Sequence, residues 1–341
     1  MKRVVLNFLI FVVIAFTSCK NENENENEND DFFGEHDVYV AGWIFNENSI
    51  AAVWKNDILQ KLTDGTNDAM ANSIYVSDGD VLVAGYVSNG NAYIAAVWKN
   101  GEVQHLTDGT NMAKTNSVFV SGNDVFVVGY EEPFGAKLWI NGVAQNLSDV
   151  QQNAYANSVF VSSGNVYVAG EVDVIATVWK NGIEQNLIGG TISAHVRSIY
   201  VNDGYVYVAG IQHNDLTRVA TVWKDGVVQN LTDGTRMAWV NSINVSDDKV
   251  YVVGNEDYPN DMGGLRTVAK LWINGEEQIL NEDMRTGSDA NSVYIYGDNV
   301  YIVGYEVNLA MGFATIWKNG KAKKLQKENG WAVANSVFVV K

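Results

Sequence analysis

One sequence unit, met seven times between residues 38 and 341, constrains this chain more than any other feature. Seven tryptophans, Trp54, Trp98, Trp139, Trp179, Trp223, Trp272 and Trp317, each sit in a segment of the form AAVWKNG. Seven glycines close an Ala-Gly or Val-Gly pair: Gly42, Gly85, Gly129, Gly170, Gly210, Gly254 and Gly304. Seven serines, Ser73, Ser117, Ser158, Ser198, Ser242, Ser292 and Ser336, follow an Asn, except that Arg197 precedes Ser198. Successive tryptophans are 40 to 49 residues apart, a period that belongs to propellers and to helical arrays.

The residues decide between those two. NSVFVS alternates and is rich in β-branched and aromatic side chains, SGND is a turn, DVFVVGY is a second strand and AKLWI a third. Asn100-Gly101, Asn141-Gly142, Asn181-Gly182 and Asn319-Gly320 are two-residue hairpin signals. They lead into a fourth strand such as VAQNLSD. No window holds a helical period. Four strands per unit specify an all-β fold, a seven-bladed β-propeller of four-stranded blades. The chain ends in NSVFVV (335–340), a first strand with no second, and the repeats open at DVYVAGW (37–43), a second strand with no first. Pairing the C-terminal strand with three N-terminal strands completes the seventh blade and removes an open sheet edge.

What precedes residue 37 reads as an address and a tether. Lys2 and Arg3 are followed by residues 4–16, all apolar except Asn7, a run too short to span a bilayer but suited to a secretory signal. Ser18-Cys19 after such a run resembles the lipobox of bacterial lipoproteins. The resemblance implies a signal peptide over residues 1–18 and lipidation of Cys19, the one cysteine of the chain. A plain secretory signal with an incidental cysteine is the alternative. Residues 19–36 read as lipidated cysteine plus acidic disordered tether, because the NENENENEND tract offers no apolar group to offset the entropy of ordering. The acidic stretch resembles the surface-export signal of Bacteroidota lipoproteins. It implies an outer-membrane protein anchored by lipid and facing the cell surface, with a periplasm-facing spacer as the alternative. The repeats, 37–341, resemble the HAF-type extracellular repeats in AAVWKNG, LTDGT, the Ala before Asn-Ser and the closing VAG. That likeness implies a secreted propeller and no particular activity.

Charge and motif content narrow the function. A net charge of −17 argues against nucleic acid, whose phosphates need clustered Lys and Arg. His36, His105, His195 and His213 lack metal spacing, and there is no phosphate loop, nucleophile elbow or second cysteine. No cofactor, no metal and a monomer are expected. Asp-rich turns such as SDGD (77–80) lack the EF-hand spacing for Ca²⁺. The seven tryptophans read as blade-to-blade packing, the LTDGT segments as turns with polar binding loops as the alternative, and each Asn of Asn-Ser as a tie from the outer connection to the inner strand.

Function is expected where the repeats differ, in the strand 4–1 connections and strand 2–3 loops around the channel mouth. Two residues before Asn stand Met70, Lys114, Tyr155, His195, Trp239, Asp289 and Val333; two residues earlier stand Asp68, Met112, Asn153, Ser193, Met237, Gly287 and Trp331. Drift at exposed loops would also produce such variety, although Trp, Tyr and Met are unusual choices there. Trp43, Tyr86, Tyr130 and Tyr305 follow the strand-two glycine and are expected to rim the same face. The candidate ligand-binding residues are Lys114, Tyr155, His195, Trp239, Asp289 and Trp331. Tyr and Trp beside Asn, Asp and Glu suit a glycan or a protein surface, so a non-catalytic binding module is the leading reading. An assembly scaffold is the alternative, followed by a polysaccharide hydrolase or lyase using two of Glu131, Glu132, Glu171, Asp173, Asp215 and Asp289, among which spacing selects none.

Overall fold

The computed structural model describes residues 32–341 except 134, 150–151, 188–192, 215–216, 261–262, 282–285, 309–310 and 326–329. Cys19, the apolar segment before it and residues 20–31 of the tether lie outside the described residues, as does Asp215. Among the described residues there is no helix, and 28 strands form seven four-stranded antiparallel sheets. Six blades follow the chain, each with its first strand innermost: Ala69–Ser77, Ala113–Ser121, Ala154–Ser162, Ala194–Asn202, Ala238–Ser246 and Gly287–Tyr296 open blades 2 to 7. Blade 1 takes its inner strand from the other end of the chain. Ala332–Val340 pairs with Asp37–Asn46, followed by Asn48–Lys55 and Ile58–Lys61. The seven-bladed ring and its mode of closure are as the repeats predict. The fourth strands are shorter than expected, four residues each, as in Val143–Asn146.

Local chemistry fixes each blade. The first residue of the strand 3–4 turn lies in the left-handed region in all seven blades, as with Asn100 at φ 53° before Gly101 at φ 89°, the geometry of a I′ turn. Its side-chain oxygen then accepts the amide N–H that opens strand two. Val38, Val81, Val125, Val166, Val206, Val250 and Val300 donate at 2.8–2.9 Å to Asn56, Asn100, Asn141, Asn181, Asp225, Asn274 and Asn319. The turn residue therefore sets both the hairpin and its clamp on the neighbouring strand. LTDGT is turn chemistry as well: Thr66, Thr110 and Thr235 donate their amides to Asp64, Asp108 and Asp233.

The core lies between blades. All seven strand-three tryptophans are at most 1% exposed. In six of them the ring packs on the preceding blade, beside Val53, Val97, Leu138, Val178, Val222 or Leu271. At roughly 25 cal/mol per Å², each ring contributes about 4–6 kcal/mol of gross burial to a blade-to-blade contact. The tryptophans are structural, as their identical slots suggest.

The Asn-Ser pair has a different partner from the one expected. In every blade the register slips at this point, as where Ala71 faces Gly85 while Ser73 faces Ala84, so that Asn72 is the extra residue of a β-bulge. The same slip recurs in the other six sheets. The bulge drives the carbonyl preceding it toward strand two: a Cβ on Gly85 would stand 1.9 Å from the Met70 oxygen. Only glycine tolerates that approach. The bulged Asn does not tie an outer connection to its own inner strand. It reaches the next blade, Asn72 Nδ2 donating to Thr115 O, Asn116 to Ala156 O, Asn157 to Val196 O, Asn241 to Ala290 O, Asn291 to Ala334 O and Asn335 to Ala71 O, all at 2.8–3.0 Å. Arg197 occupies the seventh place, and among the described residues it makes no such bond. The serines complete their circuit without a gap. Each Ser hydroxyl accepts an amide N–H of an adjacent inner strand at 3.2–3.3 Å, seven times, ending with Ile74 N–H on Ser336.

Removing residues 335–341 deletes one bond of the Asn circuit, Asn335 to Ala71, and two of the serine circuit, Ile74 to Ser336 and Val337 to Ser292, and bares the edge of Asp37–Asn46. The truncated chain is expected to melt at least about 10 °C lower; an unchanged melting temperature in a thermal scan would contradict the closure.

Candidate functional site

The inner strands line the channel in layers set by their alternation. At the mouth stands the variable layer: Met70, Lys114, Tyr155, His195, Trp239 and Asp289 are partly exposed, and Val333 is buried. Below it runs the Asn circuit, and below that a belt two residues after each serine. Phe338, Tyr75, Phe119, Phe160 and Tyr200 follow one another with ring centroids 4.5–4.9 Å apart, and Tyr294 meets Phe338 at 4.7 Å. Asn244, 8% exposed, fills the seventh slot. This belt constricts the channel. Burial raises the hydroxyl pKa of Tyr75, Tyr200 and Tyr294, with the tyrosines of the belt acting on one another in Tyr75 and Tyr294.

The variable residues pair with the residues after the strand-two glycines. Within a blade the two face each other across the strands: Met70 opposite Tyr86, Lys114 opposite Tyr130, Tyr155 opposite Glu171, His195 opposite Ile211, Trp239 opposite Asn255, Asp289 opposite Tyr305 and Val333 opposite Trp43. The closest side-chain contacts, however, run to the preceding blade. The Lys114 ammonium lies 4.3 Å from the Tyr86 ring and 4.4 Å from Tyr93. Tyr155 meets Tyr130 edge-on at 4.9 Å. His195 Nδ1 lies 2.5 Å from Glu171 Oε2. The Arg218 guanidinium lies 5.1 Å from the Trp239 ring. Asp289 accepts from the side chains of Asn241, at 3.1 Å, and Asn255.

Trp331 stands apart from the other five candidates. Its position sends side chains over the preceding blade: Asp68 accepts from Ser49 N–H, the Met112 sulfur from Tyr93 N–H. Trp331 itself covers Gly312, where any Cβ would collide with the indole, and lies 6.2 Å from Tyr305 at the rim.

A cavity of 370 Å³ opens in the mouth, lined by Lys114, Asn116, Tyr130, Tyr155, Asn157, Glu171, Arg197 and Asn241. It brings Lys114 and Tyr155 together, with His195 joined through Glu171. Tyr130, Glu171 and Arg197 complete it; the sequence signal for Arg197 was the single break in the Asn-Ser rule. Two further grooves, of 490 and 250 Å³, lie between blades at the opposite face. Their linings are repeat equivalents, Tyr167, Val178, Lys180 and Gln185 in one, Tyr207, Val222, Lys224 and Gln229 in the other. They belong to the frame.

The electrostatics of the mouth are uneven. Burial lowers the Lys114 pKa, and Glu132 only partly offsets it. Burial, with Glu132 adding to it, pushes the Tyr130 hydroxyl up to about 12. His213, whose ring lies 5.2 Å from His195, is held below its ordinary value by burial, then by His195 and Arg218. Four of the carboxylates expected at the mouth have separate partners: Glu131 an ion pair with Lys137 at 3.2 Å, Glu171 with His195, Asp173 the amide of Asn153, Asp289 the amide of Asn241; Glu132 acts on Lys114 and Tyr130 through its charge. Among the described residues no three His, Cys, Asp or Glu converge on a point that could hold a metal ion. No known protein family matches the chain, and no curated protein does.

Burial raises the Asp289 carboxyl to about 6, against the hydrogen bonds of Asn255, Ala290 and Asn241 that favour its anion. A carboxyl whose folded pKa is raised stabilises the fold fully below its ordinary range and loses that contribution as pH rises through about 6. Asp289→Asn keeps an acceptor for both amides and removes the titration. At pH 7.5 it is expected to be more stable than the parent by about 1–2 kcal/mol, allowing for partial exposure, with no difference at pH 4. Urea denaturation at the two pH values checks this; a gain that persists at pH 4 would show another cause.

Proposed function

We propose that the protein is a non-catalytic extracellular binding module, held by a lipid on Cys19 at the bacterial outer membrane and taking a glycan or a protein at the propeller mouth. One observation carries this reading. A repeated frame, closed by recurring Ser, Gly and Trp contacts, presents seven different side chains at equivalent positions of the mouth, and two of them, Lys114 and Tyr155, line one asymmetric cavity. Tyrosines, cations, amides and a carboxylate meet there, the mixture that stacks on apolar faces and hydrogen-bonds to hydroxyls. The acidic sequence after Cys19 supports a surface-facing position.

A second reading is favoured by the His195–Glu171 pair beside the same cavity. An imidazole oriented by a carboxylate is an acid–base arrangement. It would make the site a polysaccharide hydrolase or lyase, and new chain ends released from a polysaccharide would reveal it.

The test is a glycan array probed with residues 32–341 and with the Trp239→Ala/Tyr155→Ala double variant. Binding by the parent that falls at least tenfold in the variant, about 1.4 kcal/mol, is the expected result. A folded parent that binds no glycan would move the site to a protein partner, sought by pull-down from the cell envelope.

A further inference from the structure

Arg197 is where the frame breaks its own rule. Six blades spend the bulged position on an Asn that bonds to the next blade. Blade 5 gives up that bond and places an exposed guanidinium on the cavity wall. Lys114 lines the same cavity, and neither cation has an ion-pair partner among the described residues. Glu171, the one carboxylate of the lining, is engaged by His195 at 2.5 Å. A chain of net charge −17 thus keeps two cations without an ion-pair partner in a single pit, Lys114 resting on the Tyr86 and Tyr93 rings. Burial lowers the Lys114 pKa, a penalty that an incoming anion relieves.

Three properties define the complement. With Glu171 held by His195 and Glu132 only partly offsetting the burial of Lys114, the two cations leave the pit positive, and an anion complements it. The planar guanidinium fork matches a carboxylate through two parallel hydrogen bonds. Tyr130 and Tyr155 offer ring surface beside it. The volume, 370 Å³, lies at the small end of the ~300–1,000 Å³ typical of small-ligand sites. The aromatic belt constricts the channel below. A polymer therefore enters by its end. We infer that the mouth binds the terminal uronic-acid residue of an acidic glycan, its carboxylate held between Arg197 and Lys114 and its ring against Tyr130 and Tyr155. This rests on the binding reading above and names the ligand class of that site.

The test is calorimetric titration of the full chain in detergent with methyl glycosides of glucuronic, galacturonic and mannuronic acid. Each is paired with its neutral hexose and with the hexose 6-sulfate. At least one uronide is expected to bind ten times more tightly than both of its counterparts. Arg197→Asn restores the residue of the other blades, so it is expected to melt no lower than the parent while losing at least tenfold in uronide affinity, and Lys114→Gln is expected to weaken binding as well. If hexose and uronide bind alike, or Arg197→Asn leaves affinity unchanged, the acidic-ligand inference falls while glycan binding stands. Equal binding of the sulfate would replace carboxylate recognition by simple charge. A folded parent that binds no saccharide would overturn both the inference and the glycan reading beneath it.

Discussion

Everything in this propeller depends on one hydrogen bond made seven times, from an inner-strand amide to the serine hydroxyl of an adjacent blade. A neutral bond of this kind contributes only about 0.5–1.5 kcal/mol. Its weight comes from the circuit, since no blade can leave without unpairing part-buried groups on both sides. The bulge next to it, the Asn that it projects and the glycine that receives its carbonyl are parts of the same device. The tryptophans add the apolar mass of each interface, and pairing of the two chain ends closes the ring.

The device explains why the mouth can vary. Residues just before the bulge are held by their backbone, through the strand pairing and the carbonyl seated against glycine. Their side chains contribute little to the frame and are free to differ. Yet they do not differ independently. Lysine meets tyrosine, histidine meets glutamate and aspartate meets asparagine, each across a blade boundary. At five of the seven positions the variety is a set of matched contacts, which weighs against drift.

Much of this was legible in the sequence because it is local or periodic. Asn-Gly steps announce their turns, Trp recurs in one slot, and a first strand at one end of the chain complements a second strand at the other. The partners of Asn-Ser were not legible. They lie one repeat away, and a residue type does not say which of two neighbouring strands its amide will reach. The same limit hid the Glu171–His195 contact, whose members were singled out separately as a carboxylate and a mouth residue. The aromatic belt was not read from the sequence, because a strand that alternates gives no sign of which face meets the channel. Trp331 shared the variable region with Trp239, yet it sits one pleat farther out and covers Gly312.

The claim that the ring is one cooperative frame is tested most directly by hydrogen exchange on residues 32–341. The diagnostic amides are those that donate to the serines: Ile74, Val118, Val159, Ile199, Ile243, Val293 and Val337. All seven are expected to exchange through a single global opening, with the same free energy and the same denaturant dependence, blade 5 included despite its missing Asn. A blade whose amide exchanges orders of magnitude faster, without unfolding of the rest, would show that the blades stand separately and that the serine circuit does not hold them together.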